Sequence, residues 1–198
     1  MITSLPCVIF AGGKSSRMGE DKSLLPFANF KTLTEFQLSR FQKYFKNVYI
    51  STKDSSKFDF EANFIEDIQK DVSAPTVGFL SIFENLKSNS FFAISVDTPF
   101  IDEDIIKTIL QQDNDGYDAT IATLNKKMQP LCGIYHKSLH VEFKQMLKVN
   151  NHKLGYLLKN RKTKFIDFTC KDKFLNMNYK DDYEKAKQWW TVWDSNPR

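Results

Sequence analysis

The sequence predicts an α/β protein, a three-layer α/β/α sandwich on a mostly parallel sheet. Three observations predict it. Short, nearly continuous apolar runs alternate with helical patterns through the first half of the chain, and such alternation gives parallel strands joined by right-handed crossovers. Those apolar runs lack polar alternation, which fits a sheet covered on both faces. The turns with unusual chemistry, at 11–22, Glu66-Asp67 and Asp97-Thr98-Pro99, each follow an apolar run. Open α/β sheets hold ligands at that end of their strands.

Taken in order, residues 5–10 (LPCVIF) read as a buried strand ending before Gly12 and Gly13. Residues 33–45 set Leu33, Phe36, Leu38, Phe41 and Phe45 at mostly helical spacing. Residues 48–50 form a second short strand, and Phe64-Ile65 a third before Glu66-Asp67. Residues 77–86 (VGFLSIFENL) follow Pro75 with helical spacing, and 91–96 (FFAISV) read as another buried strand. Residues 102–112 open with acidic side chains and keep Ile105, Ile106, Ile109 and Leu110 on one side, which suits a helix with a favourable N-terminus. The second half is less regular, with strands at 119–123, 131–135 and 164–168 and helices at 139–149 and 181–190. No repeat or linker divides the chain, so one domain is expected over 1–190. The stretch 191–198 reads as a tail, flexible or an addition to the natural chain.

Composition excludes several classes. The 198 residues suit one domain, and 41% apolar with 26% charged residues argues against wholesale disorder. A net charge of only +4 is wrong for a polybasic nucleic-acid coat protein. The 18 phenylalanines are expected to fill much of the core. Cys7, Cys132 and Cys170 are scattered, odd in number and lack a C-x-x-C pair, which argues against a disulfide framework or thiolate zinc site. No apolar run approaches the roughly 20 residues that span a bilayer, and residues 1–10 do not resemble a signal peptide. A cytoplasmic protein with reduced thiols is expected, with no nucleic-acid or membrane partner.

The chemistry concentrates in FAGGKSSRMG at 10–19, followed by Asp21-Lys22. A buried strand delivers two glycines, which permit a sharp turn and close approach of a ligand to the main chain. Successive N–H groups there can cradle phosphate oxygens. Lys14, Arg17 and Lys22 add cations suited to a departing pyrophosphate. The adjacent glycines fit neither G-x-x-x-x-G-K-[ST] nor G-x-G-x-x-G, which disfavours a P-loop enzyme and a dinucleotide dehydrogenase. Asp97 closes the 91–96 strand. A carboxylate there can hold magnesium together with substrate phosphates, or serve as an Asx-turn residue. Asp67 is a candidate acceptor for a ribose or base, and Asn178 either caps the last helix or completes a site. His136 and His140 are four apart but lack the H-E-x-x-H pattern, and no G-x-S-x-G elbow occurs. The run 159–164 (KNRKTK) reads as a solvated basic face.

At these residues the chain resembles a known family. VIFAGGKSSRMGEDKSLLPF resembles the L-A-G-G-x-S-x-R-M-G-x-D-K signature of nucleotidyltransferases that use an NTP and release pyrophosphate. FIEDI, APTVGFLSIF, SVDTPFI, MQPLCGIY and FLNMNYKDDYEKAK follow in order. With Asn176 and Asn178 in the last of these, the chain resembles the molybdenum cofactor guanylyltransferases. The resemblance implies a Rossmann-like nucleotidyltransferase fold, with GTP and Mo-molybdopterin as substrates, Mg2+ as cofactor, and molybdoenzymes or cofactor-delivery proteins as protein partners.

Carried over by position, Phe10, Ala11, Gly12 and Gly13 would hold base and sugar through the main chain. Arg17 and Lys22 would hold the phosphates, with Lys22 stabilising the leaving pyrophosphate, and Asp97 would bind magnesium. Ser51, Asp67 and Gly78 would lie in the nucleotide pocket, and Asn176 and Asn178 on the metal or pterin side. Three positions depart from the family pattern. Phe10 replaces the leucine before A-G-G, Ser51 an asparagine, and 74–78 (APTVG) the usual G-P-L-A-G. Two alternatives stay open: a relative using CTP with molybdopterin or an NTP with a sugar or alcohol phosphate, and a degenerate nucleotide-binding module without catalysis.

Overall fold

The structure is a computed structural model that describes residues 2–13 and 18–194. Its strands are Cys7–Phe10 (β1), Val48–Thr52 (β2), Asn63–Glu66 (β3), Ser90–Ser95 (β4), Ala119–Leu124 (β5), Lys127–His136 (β6) and Thr163–Phe168 (β7). Its helices are Leu33–Phe41 (α1), Pro75–Asn85 (α2), Glu103–Gln112 (α3), His140–Lys148 (α4), Leu154–Lys159 (α5) and Lys180–Asp194 (α6). The strands form one sheet in the order β3-β2-β1-β4-β6-β5-β7. Neighbours are parallel except at β6, which runs against both β4 and β5.

Two cores make the three layers. Leu33, Phe36 and Phe41 of α1, Ile105 and Ile109 of α3, and Tyr183 and Ala186 of α6 pack on one face of the sheet. Phe79 and Phe83 of α2, Phe143 of α4, and Leu157 and Leu158 of α5 pack on the other. Phenylalanine dominates both, as the composition predicted. Each fully buried ring is worth about 1.5–3 kcal/mol of transfer free energy.

Local chemistry sets the element boundaries. The Thr32 side chain accepts from the Glu35 N–H at 3.0 Å and opens α1. Asp102 does the same for α3 through Ile105 N–H at 3.2 Å. Pro75 sits in the first turn of α2, where its missing N–H costs nothing.

The direction of β6 departs from the alternating pattern of the first half. Asn125 and Lys126 take φ of 48° and 64° and join β5 to β6 in a two-residue turn. Left-handed conformation at both central residues matches the twist of a hairpin, so β6 returns antiparallel. β6 also begins at Lys127, earlier than the apolar run at 131–135 suggests. α1 stops at Phe41, and Phe45 is carried in the turn that follows. α5 has only 6 residues, too few to show a period beside the polar stretch 150–153. α6 continues to Asp194, past the boundary expected at 190.

Candidate active site

The sheet register assembles the site. Phe10 pairs with Ser51 of β2 on one side and Ser95 of β4 on the other, so three strands end together. Ala11 N–H donates to Ser51 O at 2.9 Å, and Val96 N–H to Phe10 O at 3.1 Å. The end of β1 is thereby held from both sides. β2 and β3 lie to one side of β1 and β4 to the other, so the chain order reverses here and opens a crevice. Gly13 has φ of +148°, a conformation side chains disfavour, as the chain leaves the sheet.

The cation and the acid meet in that crevice. The Asp21 side chain accepts from Ser23 N–H at 3.0 Å and caps a single 3-10 turn, Lys22–Leu24. From that turn Lys22 Nζ reaches Asp97 Oδ2 at 3.1 Å and Asn178 Oδ1 at 3.3 Å. Both charged side chains are only 15% exposed. The other Asp97 oxygen accepts from Ser95 Oγ at 2.5 Å. Met177 N–H donates to Asp97 O at 3.0 Å, tying the 176–178 segment to the acidic loop. Asp182 Oδ2 accepts from Asn178 and Tyr179 N–H, which anchors that segment to α6. Asn176 Oδ1 is buried beside it, with no hydrogen-bond partner among the described residues.

Helix α1 braces the loop around Asp97. Buried Gln37 donates through Nε2 to Val96 O at 3.3 Å and Thr98 O at 3.2 Å. Arg40 donates to the carbonyls of Pro99 and Ile101. On the other side, Lys57 Nζ lies 2.7 Å from Asp21 Oδ2 and 3.0 Å from Ser23 Oγ. Burial raises the Asp21 carboxyl, but the hydrogen bonds from Lys57 and Ser23 outweigh it and bring it below the ordinary carboxylate range.

Two clefts flank the glycine loop and share Phe10, Gly12 and Gly13. The first, about 380 Å³, is lined by Ala11, Asp21, Lys22, Ser95 and Asp97. The second, about 440 Å³, is lined by Ser51, Lys53, Asp67, Pro75 and Gly78. Burial pushes the Asp67 carboxyl up to about 6, with Lys53 pulling it down and Glu66 pushing it up. A Cβ on Gly78 would lie 3.0 Å from both Phe10 Cε1 and Ser51 Oγ. The bare glycine lets α2 approach the ends of β1 and β2 and close the second cleft.

Phe10, Ala11, Gly12, Gly13, Lys22 and Asp97 therefore gather at the first cleft, with Asn178 on the Lys22 ammonium. Ser51, Asp67 and Gly78 gather at the second. Arg17, like Lys14, lies outside the described residues. The histidines do not form a pair on one helix: His136 ends β6 and contacts Asp113 at 3.1 Å, and His140 begins α4. Among the described residues no group of three or more His, Cys, Asp or Glu converges as a metal site. All three cysteines are free, and burial pushes the Cys132 thiol up to about 12. Sequence reasoning passed over Lys57, Gln37, Lys53 and Ser95. Only Ser95 had a local signal, two residues before the acid it donates to.

A family model for the MobA-like NTP transferase domain matches residues 7–164, which spans the glycine loop, Lys22, Asp67 and Asp97. The chain belongs to the MobA-like NTP transferase family. Relatives within the family include a molybdenum cofactor guanylyltransferase of Campylobacter jejuni subsp. doylei. It is 42% identical over 187 residues, covering 94% of this chain and 97% of the relative. A protein of the same name from Helicobacter pylori strain G27 is 33% identical, covering 95% and 94%. The fold matches the crystal structure of molybdopterin-guanine dinucleotide biosynthesis protein A from Archaeoglobus fulgidus. The TM-score is 0.81 at 19% identity, over 95% of this chain and 100% of that one. The family places the chain among nucleotidyltransferases, enzymes of the class that the resemblance implied.

Proposed function

We propose that this enzyme is a molybdenum cofactor guanylyltransferase, which transfers GMP from GTP to Mo-molybdopterin and releases pyrophosphate. The observation that carries the reading is the Lys22 ammonium, held between Asp97 and Asn178 at the mouth of the glycine loop. In the reaction a molybdopterin phosphate oxygen bonds to the α-phosphorus of GTP. The bond from that phosphorus to the bridging β-phosphate oxygen breaks, and the electron pair leaves with pyrophosphate. Charge grows on the departing group, and Lys22 is already placed by a partly buried carboxylate and an amide to meet it. A cation already held at the site can meet that charge as the bond breaks.

The remaining roles follow the two clefts. The main chain from Phe10 to Gly13 lies between them and is free of bulky side chains at Gly12 and Gly13, so it suits the nucleoside and its phosphates. Arg17 completes the phosphate grip. Asp67 and Ser51 in the second cleft face the nucleoside; an ionised Asp67 accepts from the N–H groups of guanine or from a ribose hydroxyl. Asp97 Oδ2 and Asn178 Oδ1 converge on one cation, Lys22 Nζ, and a pair of hard oxygen donors also suits Mg2+, with nucleotide phosphates completing the shell. Asp97 would hold the ion and Asn178 would lie beside it. When bound, Mg2+ withdraws negative charge from the phosphates. Asn176 and Asn178 lie on the acceptor side of Asp97.

Three free cysteines, of which Cys7 and Cys132 are buried, fit a reducing cytoplasm, and among the described residues no helix is long and apolar enough to cross a membrane. The dinucleotide product is then passed to a molybdoenzyme or a delivery protein. The test is pyrophosphate release measured with each of the four NTPs and Mg2+, with and without Mo-molybdopterin. Release with GTP that depends on the pterin is expected. Release with CTP alone of the four would reassign the base, and release with none would refute the reading.

A further inference from the structure

Lys57 lines neither cleft, yet it is tied to the turn that carries Lys22. It comes from the loop after β2. Its Nζ lies 2.7 Å from Asp21 Oδ2, 3.0 Å from Ser23 Oγ and 3.4 Å from Ala11 O. Asp21 and Ser23 flank Lys22, and Ala11 is the residue that leaves β1. The other Asp21 oxygen accepts from Ser23 N–H and from Ser23 Oγ at 2.6 Å. Lys57 thus binds both shoulders of the turn to the strand end that begins the glycine loop, while Lys22 points away toward Asp97.

We propose that Lys57 is a positioning residue for nucleotidyl transfer. By occupying Asp21, it leaves the Lys22 ammonium to Asp97 and Asn178 and holds the Lys22 turn against β1. This rests on the function proposed above, in which Lys22 meets the leaving pyrophosphate. The physical basis is a choice of partner. A lysine stem is flexible and its ammonium is a compact charge that follows the strongest nearby carboxylate. The adjacent Asp21 and the distant Asp97 are acids that line the first cleft together with Lys22. Without Lys57, Asp21 would be a half-buried carboxylate with only the Ser23 donors, open to attract Lys22. Lys57 is itself mostly covered, with its side chain 22% exposed and its ammonium over the Phe58 ring at 4.9 Å, so it is held where it acts. Lys57 acts through Asp21 and Ser23, not on the substrate.

The experiment compares Lys57→Met, Lys57→Arg and the double variant Asp21→Asn/Lys57→Met by steady-state pyrophosphate release with GTP, Mg2+ and Mo-molybdopterin. Lys57→Met is expected to lower kcat by about tenfold to a hundredfold, the scale of a roughly 1 Å misplacement, and to change KM for GTP much less. Lys57→Arg should recover most of that loss. The double variant should also recover part of it, because it removes the competing carboxylate; it leaves no unpaired charge and so tests the idea even if Lys57→Met folds poorly. A wild-type kcat in Lys57→Met, or the same loss in the double variant as in the single, would overturn the inference. An inactive wild-type enzyme would refute the proposed function instead. The crystal structure of Lys57→Met then decides the inference: Lys22 Nζ turned to Asp21 is expected, and an unchanged contact with Asp97 would overturn it.

Discussion

Replacing Lys22 by methionine removes a charge and keeps most of the stem. In the folded protein the Lys22 and Asp97 side chains are each 15% exposed, and Asp97 keeps Ser95 Oγ as a donor after the change. The pair therefore lies between an exposed ion pair, worth at most about 1 kcal/mol, and a buried one, whose breakage costs about 3–5 kcal/mol. A loss of about 1–3 kcal/mol follows, which is roughly 2–12 °C in Tm for a domain of this size. The effect on turnover is larger. Removing one pre-arranged donor to a developing charge costs about 10²–10³ in rate. Single-turnover pyrophosphate release at saturating GTP reads the chemical step, and a thermal melt reads stability. The expected result is a folded variant with kcat down about 10²–10³ and a modest change in KM. A rise in KM with unchanged kcat would mean that Lys22 only binds ground-state phosphate, and the reasoning would fail.

Asp97→Ala is expected to stay folded and to lose both pyrophosphate release and the Mg2+-dependent part of GTP binding, measured by calorimetry with and without the ion; retained turnover would remove Asp97 from the metal role. Asp67 gives a pH signature. Its folded carboxyl titrates at about 6, above its unfolded value, so the folded state holds the proton more tightly. The contribution of Asp67 to stability is therefore most favourable below about pH 4 and declines as pH rises to about 6. Asp67→Asn should flatten that slope in Tm, raise stability at neutral pH, and abolish the gain in GTP affinity expected between pH 5 and 7; an unchanged slope would contradict the assignment. Gly78→Ala places a methyl 3.0 Å from Phe10 and Ser51. Overpacking of about 1–3 kcal/mol outweighs a helix-propensity gain of about 1 kcal/mol, so Tm should fall while KM for GTP rises; a more stable variant with unchanged KM would show the second cleft to be irrelevant. Gln37→Leu leaves the Val96 and Thr98 carbonyls without their donor. It should cost about 1–3 kcal/mol in denaturant unfolding; no change would mean that α1 does not brace the Asp97 loop.

The parts legible in the sequence were those set by short stretches of chain. The apolar runs at β1 and β4, the glycines after the first and the acid after the second were readable because each is local. Their meeting could be expected because parallel sheets gather ligands at one end. Strand order was not readable, and it is the β1–β4 pairing that brings Lys22 within 3.1 Å of Asp97. Asn178 shows the limit well: its reach to Lys22 crosses most of the chain, and no spacing within 176–178 encodes it. Lys57 and Gln37 had no local signal, since a lysine in a polar loop and a glutamine in a helix are ordinary until the tertiary fold supplies Asp21 or the Val96 carbonyl. The reversal at β6 was hidden for a different reason. Asn125-Lys126 carries a hairpin turn without the glycine that usually marks one, although Asn adopts left-handed backbone more readily than most residues.

The central claim is that the Lys22 turn and Asp97 grip one nucleotide and its metal. A crystal structure with a non-hydrolysable GTP analogue and Mn2+, located by its anomalous signal, tests it directly. The account predicts manganese on the Asp97 carboxylate, the β- and γ-phosphates against Lys22 and the glycine loop, and the base in the cleft of Ser51, Asp67 and Gly78. Phosphates seated elsewhere, with Lys22 still on Asp97 and no metal between the carboxylate and the nucleotide, would contradict it.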